Sequence, residues 1–292
     1  MLLITEYFIS SFFCTIKDTL HMGKPYNPII GEQFNCKWKH KDSITEYYSE
    51  QVSHHPPIST AYLINKEKKL RSSCTIEFKV NFLGNSAENV TTGKFCIDLI
   101  EFSESYLIEF PKIMVNGIVF GKSGIDNGGE FKITCKETNL VSNVSFHSSK
   151  QHKISGDITS IDKKNLFYKI SGSMKEKVII QNDDKKEESI EIFEKKVLKK
   201  FVENIENQKM NESRKLWYPV TDAIIKGDSD SALKFKSELE DQQRKFLKNE
   251  TFESKLFKKT NEIVQGVSYY KFIHFDADNK IDSFDESRKD SC

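Results

Sequence analysis

The chain has 292 residues, enough for one large core or two small ones. Its 44 basic residues nearly cancel its 43 acidic ones, so no overall field draws it to nucleic acid or to a membrane, and any basic patch must be local. Aromatic residues make up 12%, a globular rather than a disordered composition, and six scattered cysteines without a Cys-x-x-Cys pair exclude zinc-ribbon and thioredoxin signatures. Reduced, mostly buried thiols are the expectation.

The opening run, "MLLITEYFISSFFC", lacks a basic leader, is interrupted by Glu6 and is too short to span a bilayer. It reads as a buried structural segment rather than a signal peptide, and no other stretch is long and apolar enough to be transmembrane. From Lys68 to about Ile180 the pattern is β. "CTIEFKV" (74–80) sets Ile76, Phe78 and Val80 against Glu77 and Lys79, and "GKFCIDL" (93–99) sets Phe95, Ile97 and Leu99 against Cys96 and Asp98. "GGEFKITC", "SNVSFHSS", "HKISGDITS" and "LFYKISGS" follow, with turn residues between them. Many short strands without intervening helices predict an antiparallel sheet that curls into a barrel or sandwich. "NDDKKEES" (182–189) reads as a solvated loop. The spacing then predicts a helix over 191–208, a loop or short helix over 216–228 ended by Gly227, and a helix over 231–250 capped by Ser229 or Asp230. From Asp276 the tail is polar and expected to fray.

Three stretches could carry chemistry. "EQVSHHPPIS" (50–59) places His54 and His55 side by side before Pro56 and Pro57. Adjacent residues of a strand point to opposite faces, which disfavours a shared metal, and no further ligand cluster stands nearby. The prolines fix a rigid, non-helical corner, and two imidazoles there could donate to one phosphate; a pair with one ring buried and one exposed stays open. "KPYNPIIGE" (24–32) brackets Lys24 and Asn27 with prolines, which suits an anionic, hydroxyl-bearing group or an ordinary solvated turn. Lys236, Glu240 and Arg244 recur at every fourth position, as a surface ion-pair ladder or as a basic strip in which Glu240 orients its neighbours toward phosphate. "GIVFGKS" (117–123) is one residue short of a P-loop and lacks a βαβ setting, so nucleotide hydrolysis is disfavoured.

Together these stretches resemble the oxysterol-binding protein family of lipid exchangers. "EQVSHHPPIS" is nearly that family's signature, "KPYNPIIGE" is similar to its K-P-x-N-P-x-x-G-E segment, and "LWYPVTDAIIKGDSDSALKFKSELEDQQR" is similar to its late segment ending in K-x-x-x-E-x-x-Q-R. The resemblance covers about residues 5 to 275. It implies a mainly β fold with some α, a nearly closed antiparallel β-barrel enclosing a lipid tunnel, with N- and C-terminal helices. A single lipid-binding domain over 1–275 is expected, its barrel over about 24–181 and a C-terminal helical subdomain over about 190–275, followed by a polar tail, 276–292.

The resemblance further implies a lipid-transfer protein that binds phosphatidylinositol 4-phosphate and exchanges it for a second lipid, a sterol or phosphatidylserine, between membranes. His54, His55 and Arg244 would grip the 4-phosphate. Lys24, Asn27 and Lys236 would hold the inositol ring and the phosphodiester, and Glu240 would position the basic groups. No catalytic residue, metal or cofactor is expected, and the protein is expected to be a monomeric, cytoplasmic non-enzyme that visits membranes and binds no nucleic acid. Only a short stretch precedes Lys24, so the lid that closes the tunnel in such proteins is expected to be absent or very short. That keeps a second reading open, a phosphoinositide sensor or tether that binds membranes without transferring lipid.

Overall fold

The computed structural model describes residues 1–19, 26–121, 124–147, 152–173, 176–182, 187–190, 198–249 and 251–273. A first helix, α1 (Leu2–Thr19), precedes strands β1 (Gln33–Lys39), β2 (Ile44–Ser53), β3 (Ile58–Asn65), β4 (Leu70–Phe82) and β5 (Ser86–Leu99). Then come β6 (Glu104–Glu109), β7 (Lys112–Asn116), β8 (Gly124–Cys135), β9 (Leu140–His147), β10 (Lys153–Ser160), β11 (Leu166–Ser173), β12 (Val178–Asn182), β13 (Glu187–Ile190) and β14 (Lys200–Phe201). The chain continues with helices α2 (Ser213–Leu216), α3 (Tyr218–Ile225) and α4 (Ser229–Asn249), and a hairpin of β15 (Phe257–Val264) and β16 (Val267–Phe272). Among the described residues, one antiparallel sheet of 14 strands runs from β13 at one edge to β14 at the other; β7 lies off this path, pairing with β5 and β8, and β14 joins β1 from far along the chain, while the other neighbours are close in sequence.

The sheet curls around its first helix. Ile9 of α1 shares one buried cluster with Tyr106, Phe131, Val144, Ile154, Ile170 and Val178, side chains drawn from six strands between β6 and β12. The N-terminal amine of Met1 also donates to the Tyr106 hydroxyl of β6 at 3.3 Å. Phe8 fixes the contact, stacking on Phe131 at 5.4 Å and meeting Phe95 edge-on at 5.7 Å. The apolar opening run is thus a structural helix, and no helix among the described residues is long and apolar enough to cross a membrane.

The alternation read from β4 and β5 is present, but its burial is inverted. Arg71, Glu77, Lys94 and Asp98 are all buried, whereas Ile76, Phe95, Ile97 and Leu99 on the other face are only half-buried. The β15–β16 hairpin causes this, because it covers the polar face. Lys94 Nζ donates to Glu262 at 2.9 Å and sits 4.5 Å from the centre of the Tyr269 ring. Arg71 pairs with Asp98 at 2.8 Å, so these buried charges are matched rather than stranded. Phe272 stacks flat on Tyr62 at 5.0 Å and anchors the hairpin. Phe95, Ile97 and Leu99 pack toward the cluster around α1, so the less buried, apolar face is the one that looks inward.

Four expectations are corrected. The segment read as a helix over 191–208 is extended at Lys200–Phe201 and forms a short 3-10 turn at Ile205–Asn207, because β1 offers an edge with which it pairs (Lys37 with Phe201); residues 191–197 lie outside the described residues. The C-terminal subdomain over 190–275 is not wholly helical, since it ends in the β15–β16 hairpin. The loop expected over 182–189 contains strand residues 187–189, paired with β12, while 183–186 lie outside the described residues. The cap of α4 is Asp228, whose Oδ1 accepts from the Ser231 N–H at 3.0 Å, rather than Ser229 or Asp230. Four cysteines, Cys36, Cys74, Cys96 and Cys135, are free and buried as expected. The polar tail falls outside the described residues.

Replacing Phe131, which is 0% exposed, by alanine removes the ring on which Phe8 stacks. It is predicted to cost about 3–5 kcal/mol in urea unfolding; a loss below about 1 kcal/mol would contradict this account of the core.

Candidate functional site

The histidine corner is built by its neighbours. Strand β2 ends at Ser53 and β3 begins at Ile58, with a register shift after Gln51, so residues 54–57 form the turn. Val52 and Ile58 bury their side chains beneath it together with Val267, and this roots the turn in the core. Gln51 braces it from within: its Nε2 donates to the Ser53 carbonyl at 2.7 Å, and its Oε1 accepts from Ser59 at 2.5 Å. The His55–Pro56 bond is cis. His54 is half-buried and His55 exposed, with their rings edge-to-face at 4.2 Å. The pair therefore presents one partly sheltered and one open imidazole on the same turn.

Helix α4 supplies the charges around this corner. Burial holds the His54 pKa below its ordinary value; the neighbouring His55 and the Arg244 guanidinium push the same way, while Glu240 opposes them. Lys236 Nζ lies 3.8 Å from Glu240 Oε1, the pairing expected one turn apart. Arg244 departs from the expectation: its guanidinium is held at 2.7 Å by Asp241, not by Glu240. Both Arg244 and Asp241 are largely exposed, so this pair is weak and the guanidinium can change partner at little cost.

The third stretch is tied to both of the others. Glu32, the last letter of "KPYNPIIGE", accepts from the Ile29 N–H at 3.0 Å, the Ser213 hydroxyl at 2.5 Å and the Trp217 indole at 2.9 Å. The Gly31 N–H donates to the Gln51 carbonyl at 2.8 Å, and the Gln51 N–H returns a bond to the Glu32 carbonyl at 3.0 Å. Gly31 has φ +76°, and a Cβ there would lie 2.9 Å from the Phe252 ring, so both conformation and space call for glycine. Ile30 N–H donates to the buried Gln243 side chain of α4 at 2.6 Å. Tyr26 stacks on Trp217 with ring centres 4.4 Å apart. Asn27 is exposed on this loop, and Lys24 lies outside the described residues.

The structure thus brings together His54, His55, Glu240 and Arg244, pairs Lys236 with Glu240, and carries Asn27 on a loop bonded to both β2 and α4. Sequence reasoning gave no role to the braces: Glu32, Gln51, Gln243 and Glu50. Glu50 is 3% exposed and accepts from Ser254 and from the Leu256 N–H, which secures the segment leading into β15. All four stand inside the quoted stretches, so position in the motif was the available signal; their partners were not. Among the described residues no group of three or more His, Cys, Asp or Glu could hold a metal ion.

A curled antiparallel sheet around an N-terminal helix, with α2–α4 at one end, defines a mainly β, barrel-like domain. The solved Osh1 ORD domain in complex with cholesterol shares this fold with a TM-score of 0.73 at 22% identity, covering 98% of this chain and 75% of that one. The Osh3 ORD in complex with PI(4)P from Saccharomyces cerevisiae gives 0.70 at 20% identity, covering 92% and 75%. The chain belongs to the oxysterol-binding protein family, whose model matches residues 1–281. It is 33% identical to oxysterol-binding protein-related protein 5 of Mus musculus, over 84% of this chain and 29% of that protein. It is 31% identical to oxysterol-binding protein 4 of Dictyostelium discoideum, over 90% of this chain and 60% of that protein. The chain therefore spans less than two thirds of the length of these relatives.

Glu32→Ala would strip three donors of their acceptor at once. It is predicted to lower stability by about 1–3 kcal/mol in denaturant unfolding, with a concurrent change in Trp217 fluorescence; an unchanged midpoint and spectrum would contradict the bracing role.

Proposed function

We propose that this chain carries lipids between membranes, binding phosphatidylinositol 4-phosphate and exchanging it for a second lipid, a sterol or phosphatidylserine. The observation that carries the reading is the inverted burial of β4 and β5. An inward-facing apolar row of Ile76, Phe95, Ile97 and Leu99, left half-buried, suits acyl chains or a sterol, with each buried Å² contributing about 25 cal/mol. The histidine corner and α4 supply the polar groups that a phosphorylated inositol needs. The solved relatives in complex with cholesterol and with PI(4)P support both halves of the reading.

In this account His54, His55 and Arg244 hold the 4-phosphate, Lys24, Asn27 and Lys236 hold the ring and phosphodiester, and Glu240 steadies the cations. Arg244 leaves Asp241 for the stronger, doubly charged acceptor. The lowered pKa of His54 keeps the empty corner from collecting positive charge, and a bound dianion reverses that shift, so head-group binding and His54 protonation favour one another. No bond of the lipid is made or broken, so the protein is a carrier and not an enzyme. It works as a single unit over residues 1–275, as a monomer in the cytoplasm that visits membranes transiently.

Extraction of phosphatidylinositol 4-phosphate from vesicles tests the reading directly. Wild type is predicted to remove the lipid, and His54→Ala/His55→Ala to remove at least tenfold less. Extraction by neither protein, or equally by both, would overturn it, and wild type that binds the vesicles but moves no lipid would identify a sensor or tether.

A further inference from the structure

Beyond the corner, strand β4 does not stop. Ile58, the first residue of β3, pairs with Glu77, and the Phe78 N–H still reaches the Pro57 carbonyl at 3.3 Å. Residues 78–82 have no β3 partner and pair only with the start of β5, so the hairpin projects about 13 Å past the corner, at about 3.3 Å per residue. Strand β7 pairs with the same part of β5, which brings the β7–β8 turn alongside.

The two tips are locked to each other by one side chain. Asn85 Oδ1 accepts from the N–H groups of Val119 and Phe120 at 2.9 and 2.8 Å, and its Nδ2 donates to the Phe120 carbonyl at 3.0 Å. The carbonyl of Asn85 also accepts from the Ile118 N–H at 3.2 Å. This bracing holds a cluster of apolar side chains in solvent: Phe82 is 77% exposed, Phe120 76%, Val119 60% and Leu83 55%, with Val80 and Ile118 beside them. Scattered exposed apolar residues are ordinary, but a braced cluster containing two phenylalanines is a surface that something covers.

Charge indicates what covers it. Residues 113–121 carry no charge and residues 78–87 only Lys79. The nearest carboxylates, Glu88, Asp126 and Glu77, stand farther back: Glu88 is paired with Lys112 at 2.8 Å and Glu77 with Lys79 at 3.2 Å, and Asp126 lies opposite Met114 on β8, level with Glu88. An apolar tip with no carboxylate ahead of it and lysines behind fits the interface of a bilayer containing anionic lipid, where the rings enter the acyl boundary and the ammonium groups stay among the head groups. We propose that the joined β4–β5 and β7–β8 tips are a membrane-docking element that inserts Phe82, Leu83, Val119 and Phe120 into the bilayer surface and sets the histidine corner against it. Asn85 is the positioning residue that keeps the two tips in one unit. This surface acts on the bilayer as such, whatever lipid the corner selects.

The test is co-sedimentation with vesicles of phosphatidylcholine and phosphatidylglycerol, which contain neither a phosphoinositide nor a proposed second cargo, so its outcome is independent of extraction. Wild type is predicted to partition onto the vesicles and Phe82→Ser/Phe120→Ser at least tenfold less, with its thermal unfolding unchanged because both side chains are exposed. Phe120→Trp gives a second readout: its added fluorescence is predicted to shift to shorter wavelength with vesicles and to be quenched by shallow, bromine-labelled acyl chains. Equal sedimentation of wild type and the double serine variant, or a tryptophan spectrum that ignores vesicles, would overturn the proposal. So would wild type that self-associates through these residues in ultracentrifugation and binds no vesicles, which would assign the face to a second copy of the chain.

Discussion

Everything at the polar end of this protein depends on a few hydrogen bonds between segments far apart in sequence. Glu32 joins the loop after Tyr26 to Ser213 and Trp217. The main chain of Gly31 and Glu32 exchanges bonds with Gln51, three residues before the turn that bears the histidines. Gln243 closes the circuit by accepting from Ile30 while standing on the helix that carries Glu240 and Arg244. A polar side chain buried without its partner would cost more than the bond returns, so the arrangement holds as a set. Sites built on such braces keep their geometry when empty, which limits the ordering cost of binding.

The second constraint is the division of labour between the two faces of the sheet. In a simple half-buried sheet the apolar face is the buried one. Here the β15–β16 hairpin buries the polar face of β4 and β5 through matched charges and the adjoining Tyr62 of β3 through aromatic stacking, and the apolar face turns toward α1. The strand pattern that would ordinarily build a solid core instead leaves apolar side chains half-buried. Burial and polarity are thus uncoupled in this part of the molecule, a physical basis for a space that suits a lipid.

Much of this was legible in the sequence. Period-two alternation identified β4, β5 and the strands from β8 to β11, and the helical period identified α4, because those signals are local. The histidine corner was legible because prolines fix backbone angles wherever they stand. The misread segment, 191–208, has a helical spacing, yet part of it serves as a strand because β1 needed an edge partner, and such a need is visible only in three dimensions. Arg244 was aligned correctly with Glu240 along the helix, but alignment does not choose between acceptors, and Asp241 lies closer. The braces had no legible role because a glutamine or glutamate reads as surface until its partner is known. Burial inversion was likewise unreadable, since nothing in "CTIEFKV" says that a hairpin some 180 residues later will cover Glu77 and its neighbours.

The central claim is that one fold joins a head-group corner to an inward apolar face, so that a whole phosphoinositide molecule leaves the membrane with the protein. Native mass spectrometry after incubation with vesicles containing phosphatidylinositol 4-phosphate and removal of the vesicles measures this most directly. The account predicts a one-to-one complex with that lipid, displaced when vesicles rich in the second cargo are added. Protein recovered free of lipid, or carrying phosphatidylinositol as readily as its 4-phosphate, would contradict it.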